Sequence, residues 1–156
     1  MVAGSDHITG RGGVRGKRDC FLLSKMEGDK LVQDLNLSRI AMKALPYAYA
    51  PYSGYKVGAA LLTSTGHVFR GVNVENVSYG LSMCAERAAL FAAVAKGHRH
   101  FSVLAVVSEV VRKPLPCGAC RQVFREFAKE LRIVIGGREE ELLIYNLEEL
   151  LPYPFI

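Results

Sequence analysis

Two short stretches far apart in the chain constrain it most: Cys84-Ala85-Glu86-Arg87 and Pro116-Cys117-Gly118-Ala119-Cys120-Arg121. Three thiolates can hold one Zn²⁺ and leave its fourth tetrahedral position to water, which separates an open catalytic site from a closed structural one. A carboxylate two residues from a ligand, as Glu86 is from Cys84, can move protons beside that water. Other readings exist. Cys117-x-x-Cys120 alone is also a redox spacing, and a single cysteine such as Cys84 often packs as a small hydrophobe. A closed structural zinc needs a fourth ligand. Cys20, His67, His98 or His100 would have to supply it, and none has local ligand spacing to the other three. The open zinc site accounts for all four residues together.

Both thiol-bearing stretches fall at predicted helix starts, where the helix dipole favours negative charge and thiolates form more easily. Three thiolates on Zn²⁺ leave that unit with a net negative charge, and a more negative centre makes bound water a poorer acid. Arg87 is placed to donate to a thiolate and offset that charge, in the way that groups behind metal ligands tune them. A surface salt bridge is its plainer alternative.

The rest of the chain sets the frame. At 156 residues it is most simply one domain with room for a sizeable core. Half the residues are hydrophobic and 22% are charged, as in soluble globular proteins. No apolar run approaches the roughly 20 residues of a membrane span, and no secretory leader pattern opens the chain, so neither membrane nor secretion is expected. Four cysteines, three of them in the zinc constellation, argue against a disulfide framework and for a reducing, cytoplasmic location. The formal charge of +5 sits partly at Arg11, Arg15, Lys17 and Arg18. Elsewhere the two signs mix, which describes a solvated surface better than a nucleic-acid footprint.

Residues 1–30 are polar, basic and glycine-punctuated, and are expected to be a disordered tail, with a transit peptide as the alternative; residues 31–156 are expected to form the catalytic domain. Apolar periodicity begins near Leu35, with Ser38 as candidate N-cap and Pro46 stopping the helix near Ala44. Lys56–Thr63 and His67–Val74 are predicted strands joined by a hairpin loop at Ser64-Thr65-Gly66. Cys84–Lys96 is a helix with Gly97 just past its end, and Ser102–Ser108 is a strand apolar enough to be covered on both faces. Cys117–Leu131 is a helix. Arg132–Ile135 and Glu141–Tyr145 are strands whose short link requires them, if adjacent, to be antiparallel. Asn146 and Glu149 form a candidate capping box for a last helix over Leu147–Leu151. The expected fold is α/β: a three-layer α-β-α sandwich around a mixed five-stranded sheet.

These residues resemble a known family. Ala50-Pro51-Tyr52-Ser53, Val57-Gly58-Ala59-Ala60, Asn73-Val74-Glu75-Asn76, Cys84-Ala85-Glu86-Arg87, Pro116-Cys117-Gly118-Ala119-Cys120-Arg121-Gln122 and Glu149-Leu150-Leu151-Pro152 together look like a cytidine deaminase of the small, three-cysteine, homotetrameric class. The resemblance implies one Zn²⁺ per subunit, held by Cys84, Cys117 and Cys120. It implies attack of zinc-bound hydroxide on C4 of free cytidine or deoxycytidine, giving uridine or deoxyuridine and ammonia in pyrimidine salvage. Glu86 would shuttle the protons. Asn73 and Glu75 would hold the ribose 3′-hydroxyl. The Ala85 N–H and Leu115 carbonyl would read the pyrimidine, beside a wall at Tyr55, where the family usually has Phe. Tyr79 and Phe155 would reach across subunit interfaces.

Three rivals stand beside this reading. A polynucleotide deaminase of this fold is similar, but carries a helix where Gly136–Glu140 makes a short strand-to-strand link, and Glu75 favours a free sugar hydroxyl. Blasticidin deaminases are also similar but lack the Asn-x-Glu pattern. A non-enzymatic zinc module has no use for Glu86 beside an open metal position.

Overall fold

The computed structural model describes residues 17–109, 113–136 and 142–155. Five strands pair into one sheet: β1 (Val57–Thr63), β2 (Val68–Val72), β3 (Phe101–Ser108), β4 (Arg132–Gly136) and β5 (Leu143–Asn146). Their order is β2-β1-β3-β4-β5. β1 runs antiparallel to β2 and β3, β3 parallel to β4, and β4 antiparallel to β5. The antiparallel last pair is the arrangement the short link demanded. Gly66, at φ +88°, turns the β1–β2 hairpin.

Alternation along the strands makes two cores. Ala59 and Leu61 of β1, Leu104 and Val106 of β3, and Ile133 and Ile135 of β4 share one face. They pack under helices α2 (Ala85–Ala95) and α3 (Gly118–Phe127), with Leu90 and Phe124 fully buried between the layers. Ala60, Leu62, Val103, Ala105, Val107 and Val134 point to the other face and meet Leu37, Ala41 and Leu45. A strand covered on both faces has no polar side to show, which is why Val103–Val107 of β3 is an unbroken apolar run.

Helix α1 spans Lys17–Ala44. By internal contacts the chain divides into Met1–Leu31 and Val32–Ile156. In the first unit the described residues, from Lys17, are all helical. In the second, Asp34 is buried and its Oδ1 accepts from Arg132 Nη2 at 2.8 Å, tying α1 to β4. The tail expected over residues 1–30 falls outside the described residues up to residue 16. Over Lys17–Lys30 the backbone is α-helical. Ser38 is therefore not an N-cap. It lies inside α1 with its hydroxyl buried. Pro46 does end the helix, in a 3₁₀ turn at Leu45–Tyr47.

Two glycines set how close the layers come. A Cβ on Gly58 would lie 2.3 Å from the Ala41 carbonyl oxygen, so α1 rests directly on β1 there. A Cβ on Gly71 would lie 2.1 Å from the Ala85 carbonyl oxygen and 2.5 Å from the Ala89 nitrogen. Only glycine lets the first turn of α2 sit on β2 this tightly. α2 ends as expected, with Gly97 at φ +90° just past its last turn. α3 is shorter than expected. It stops at Phe127 because Ala128 is extended, and Leu131 reaches the core from the connection to β4 rather than from a helix. A short helix α4 (Leu147–Leu150) follows β5, with the Asn146 N–H donating to Glu149 Oε2 at 2.6 Å in the expected capping box.

Candidate active site

Cys84 is the N-cap residue of α2 and Cys117 that of α3. Cys120 lies in the first turn of α3 and is fully buried. The three sulfur atoms lie within 4.8 Å of one another. Cys84 Sγ is 3.7 Å from Cys117 Sγ, which is 3.5 Å from Cys120 Sγ, and all three thiols are free. Tetrahedral zinc with bonds of about 2.3 Å needs sulfurs about 3.8 Å apart, so the cluster fits the ion. Among the described residues no other His, Cys, Asp or Glu joins this group. His67 and His98 instead pack against each other, ring centroids 4.9 Å apart, so neither completes a closed site. The donor set of three sulfurs leaves the fourth position of a tetrahedron to another ligand.

The surroundings tune the cluster. Cys84 falls to about 5, chiefly through the hydrogen bond it accepts from Cys120, helped by Arg87 and Cys117. Cys120 is pushed far up by the same shared proton, then by burial and by the charge of Glu86. Zinc binding displaces such protons from its thiol ligands. Arg87 Nη2 donates to Cys84 Sγ at 3.6 Å. The guanidinium thus stands at the sulfur it was expected to neutralise, and the contact raises its own pKa. Glu86 is 4% exposed. Burial, then the negative charge of Cys84, pushes its carboxyl up to about 7. A carboxyl held there is equally ready to give and to take a proton at neutral pH.

A second group of polar residues is built beside the first. Val74 and Met83, the residue before Cys84, exchange both backbone hydrogen bonds at 2.9 Å. Tyr49 pairs with the same strand end from the other side, its N–H donating to the Asn73 carbonyl and its carbonyl accepting from the Glu75 N–H. Asn73 braces the entry to β1: Oδ1 accepts from the Val57 N–H at 2.8 Å, and Nδ2 donates to the Tyr55 carbonyl at 2.8 Å. Glu75 accepts from the N–H groups of Tyr52 and Ser53 at 2.9 and 3.2 Å and from the Ser53 hydroxyl. The Ser53 hydroxyl, first among these, holds the Glu75 carboxyl below its usual range.

Of the remaining expected residues, Ala85 is buried at the start of α2, Tyr55 is half-buried, and Leu115 is 44% exposed between two buried prolines. Tyr79 and Phe155 stand almost fully exposed. Phe155 is tethered by its backbone to Gln122 of α3, at 2.8 and 3.0 Å. Ser53, Gly71 and Arg121 were not singled out from the sequence. Ser53 and Arg121 lie inside motifs whose pattern is visible; Gly71 carries no local signal, since its need arises only when α2 is docked.

Comparison with known proteins follows the same lines. The family model described as the cytidine and deoxycytidylate deaminase zinc-binding region matches residues 31–136. The chain is 45% identical over 120 residues to a cytidine deaminase of Halalkalibacterium halodurans, an alignment covering 76% of this chain and 91% of that protein. It is 39% identical to one from Sporosarcina psychrophila over 83% of this chain and 92% of that one. The crystal structure of a cytidine deaminase from Burkholderia pseudomallei superposes with a TM-score of 0.74 at 48% identity, covering 77% of this chain and 97% of that chain.

Proposed function

This chain belongs to the zinc-binding cytidine and deoxycytidylate deaminase family, and from that membership we infer that it hydrolyses free cytidine and deoxycytidine to uridine and deoxyuridine, releasing ammonia. The observation that carries the reading is the cluster of three free thiols with a buried carboxyl, Glu86, two residues from one of them in sequence.

Cys84, Cys117 and Cys120 are the residues to hold zinc, one ion per chain. Bound there, zinc supplies Lewis acidity that makes water a nucleophile near neutral pH. Glu86 would accept the proton of the attacking water and deliver it to N3 of the pyrimidine, then carry the proton of the new C4 hydroxyl to the amine, which leaves as ammonia. Each transfer needs one group that gives and takes protons at working pH, and desolvation keeps this carboxyl in that range. Arg87 offsets thiolate charge at Cys84. The Ala85 N–H and the Leu115 carbonyl fix the pyrimidine, with Tyr55 as a wall. Asn73 and Glu75 hold the ribose hydroxyl; Glu75, kept ionised by Ser53 and the Tyr52 N–H, is a strong acceptor for it.

Residues 31–156 are assigned as the catalytic domain. Free nucleoside is preferred to polynucleotide on two grounds: the antiparallel β4–β5 pair, and an acidic residue offered to a sugar hydroxyl. We assign a homotetramer in which Tyr79 and Phe155 meet neighbouring subunits, since large exposed aromatics gain by burial. The cytoplasm suits a site of three reduced thiols; no described helix is long and apolar enough to cross a membrane.

The test is direct. Purified protein should carry about one zinc per chain, and cytidine should be converted with the ultraviolet change of deamination. Full activity after complete chelation would refute the metal-dependent reading. Glu75→Ala should impair cytidine turnover far more than zinc content; normal turnover in that variant would remove the ribose role.

A further inference from the structure

We propose that Arg121 is a positioning residue that sets substrate affinity by fixing the loop 113–117 against the C-terminal segment. The proposal rests on the deaminase reading above and adds a residue to it.

The loop between β3 and α3 carries Leu115, whose carbonyl is assigned to the pyrimidine, and Cys117, assigned to the metal. It contains Pro114 and Pro116, both buried. Proline has no N–H, so this segment cannot be laced into place by ordinary backbone pairing. The Leu115 N–H is turned back on the loop itself, donating to the Lys113 carbonyl at 3.0 Å. The loop's position therefore depends on donors that reach its carbonyls from outside.

Arg121 is such a donor. Its Nε donates to the Pro116 carbonyl at 2.7 Å and its Nη1 to the Leu150 carbonyl, at the end of α4, at 2.8 Å. Its own backbone N–H donates to the Cys117 carbonyl at 3.0 Å. A guanidinium presents its donors in a rigid planar fork, so the two carbonyls are held at a fixed separation. Among the described residues its partners are carbonyls and not carboxylates, so the contribution is geometric and a lysine cannot reproduce it. The adjacent Gln122 extends the tie, pairing with both backbone groups of Phe155. The first turns of α3 thus hold the substrate loop on one side and the C-terminal segment on the other.

The experiment compares zinc-loaded wild type, Arg121→Ala and Arg121→Lys for zinc content, melting temperature, kcat and KM for cytidine. Loss of two hydrogen bonds that orient a binding carbonyl should raise KM in Arg121→Ala about tenfold, with kcat changed less than about threefold and zinc retained. Arg121→Lys, keeping a single point donor, should fall between. Two folded, zinc-loaded variants with lowered melting temperature but unchanged KM would overturn the proposal and leave Arg121 a structural clip. Loss of zinc in Arg121→Ala would overturn it too, by making Arg121 part of the metal site. If Arg121→Ala does not fold, Arg121→Lys decides alone: raised KM supports the proposal, and unchanged KM or failure to fold overturns it. Wild type without cytidine turnover overturns the deaminase reading and this proposal together, whereas an active wild type with unmoved KM in the variants overturns this proposal alone.

Discussion

The two helix starts that supply the sulfurs are built in opposite ways. At the start of α2, Ala85 and Glu86 are buried, and the helix rests so closely on β2 that Gly71 has no room for a Cβ. At the start of α3, Cys117, Gly118 and Ala119 are exposed, and a Cβ on Gly118 would meet nothing within 4 Å. The closed start carries Glu86, the carboxyl proposed to move protons, whose raised pKa comes first from burial. The open start carries two proposed ligands, Cys117 exposed and Cys120 buried, with open space at Gly118 between them. A general acid–base group gains from a dry, fixed setting. A metal open to substrate needs its ligands held and one side free. The sheet provides the first; side-chain ties from Arg121 and Gln122 provide the second.

This contrast can be broken at several points. The largest effect should follow Cys117→Ala, which removes a ligand from the open start. Zinc should be lost, cytidine turnover should fall below detection, and stability should drop with the metal, as metal analysis and thermal melts would record. A full zinc complement in that variant would show that α3 does not need both thiols. Next comes a matched pair of glycines. Gly71→Ala forces a methyl into backbone atoms of α2 and should destabilise by about 1–3 kcal/mol in denaturant melts. Gly118→Ala meets open space and favours helix, so it should be neutral or stabilise by up to about 1 kcal/mol. Equal effects at the two positions would remove the distinction between a closed and an open start. The smallest effect belongs to Ser53→Ala. The Glu75 carboxyl should then titrate at higher pH, nearer its ordinary 4.5, because the hydroxyl is the first cause of its depression. Carboxyl titration by NMR reads this directly, and an unmoved midpoint would give the depression to the backbone N–H groups alone.

The same contrast explains what the sequence made legible. The zinc trio could be read because ligand chemistry restricts residue type and spacing, and sulfurs 3.5 and 3.7 Å apart are what those residues build. The antiparallel β4–β5 pair could be read because a short link excludes a parallel crossover. The early start of α1 was missed because apolar periodicity reports burial, not helicity, and the helix extends to Lys17, well before the pattern near Leu35 begins. The end of α3 was missed for the converse reason. Ala128 and Leu131 are buried, and they continue an apolar pattern while the backbone has left the helix. Gly71, and the grip of Ser53 on Glu75, depend on segments meeting in space, for which no local pattern exists. Arg121 stood inside a legible motif, yet the two carbonyls it joins belong to different parts of the chain.

The central claim is that this chain divides its chemistry: three thiols hold the metal and Glu86 moves the protons. Glu86→Gln separates the two, since the amide keeps the size of the side chain but cannot accept a proton. Zinc content and cytidine turnover measured on the same preparation decide it. The expected result is a folded protein with wild-type zinc and turnover lower by at least about 10²-fold, within the range a general acid–base group contributes or beyond it. Wild-type turnover in a zinc-loaded Glu86→Gln protein would contradict the account, and loss of zinc would move Glu86 into the ligand set.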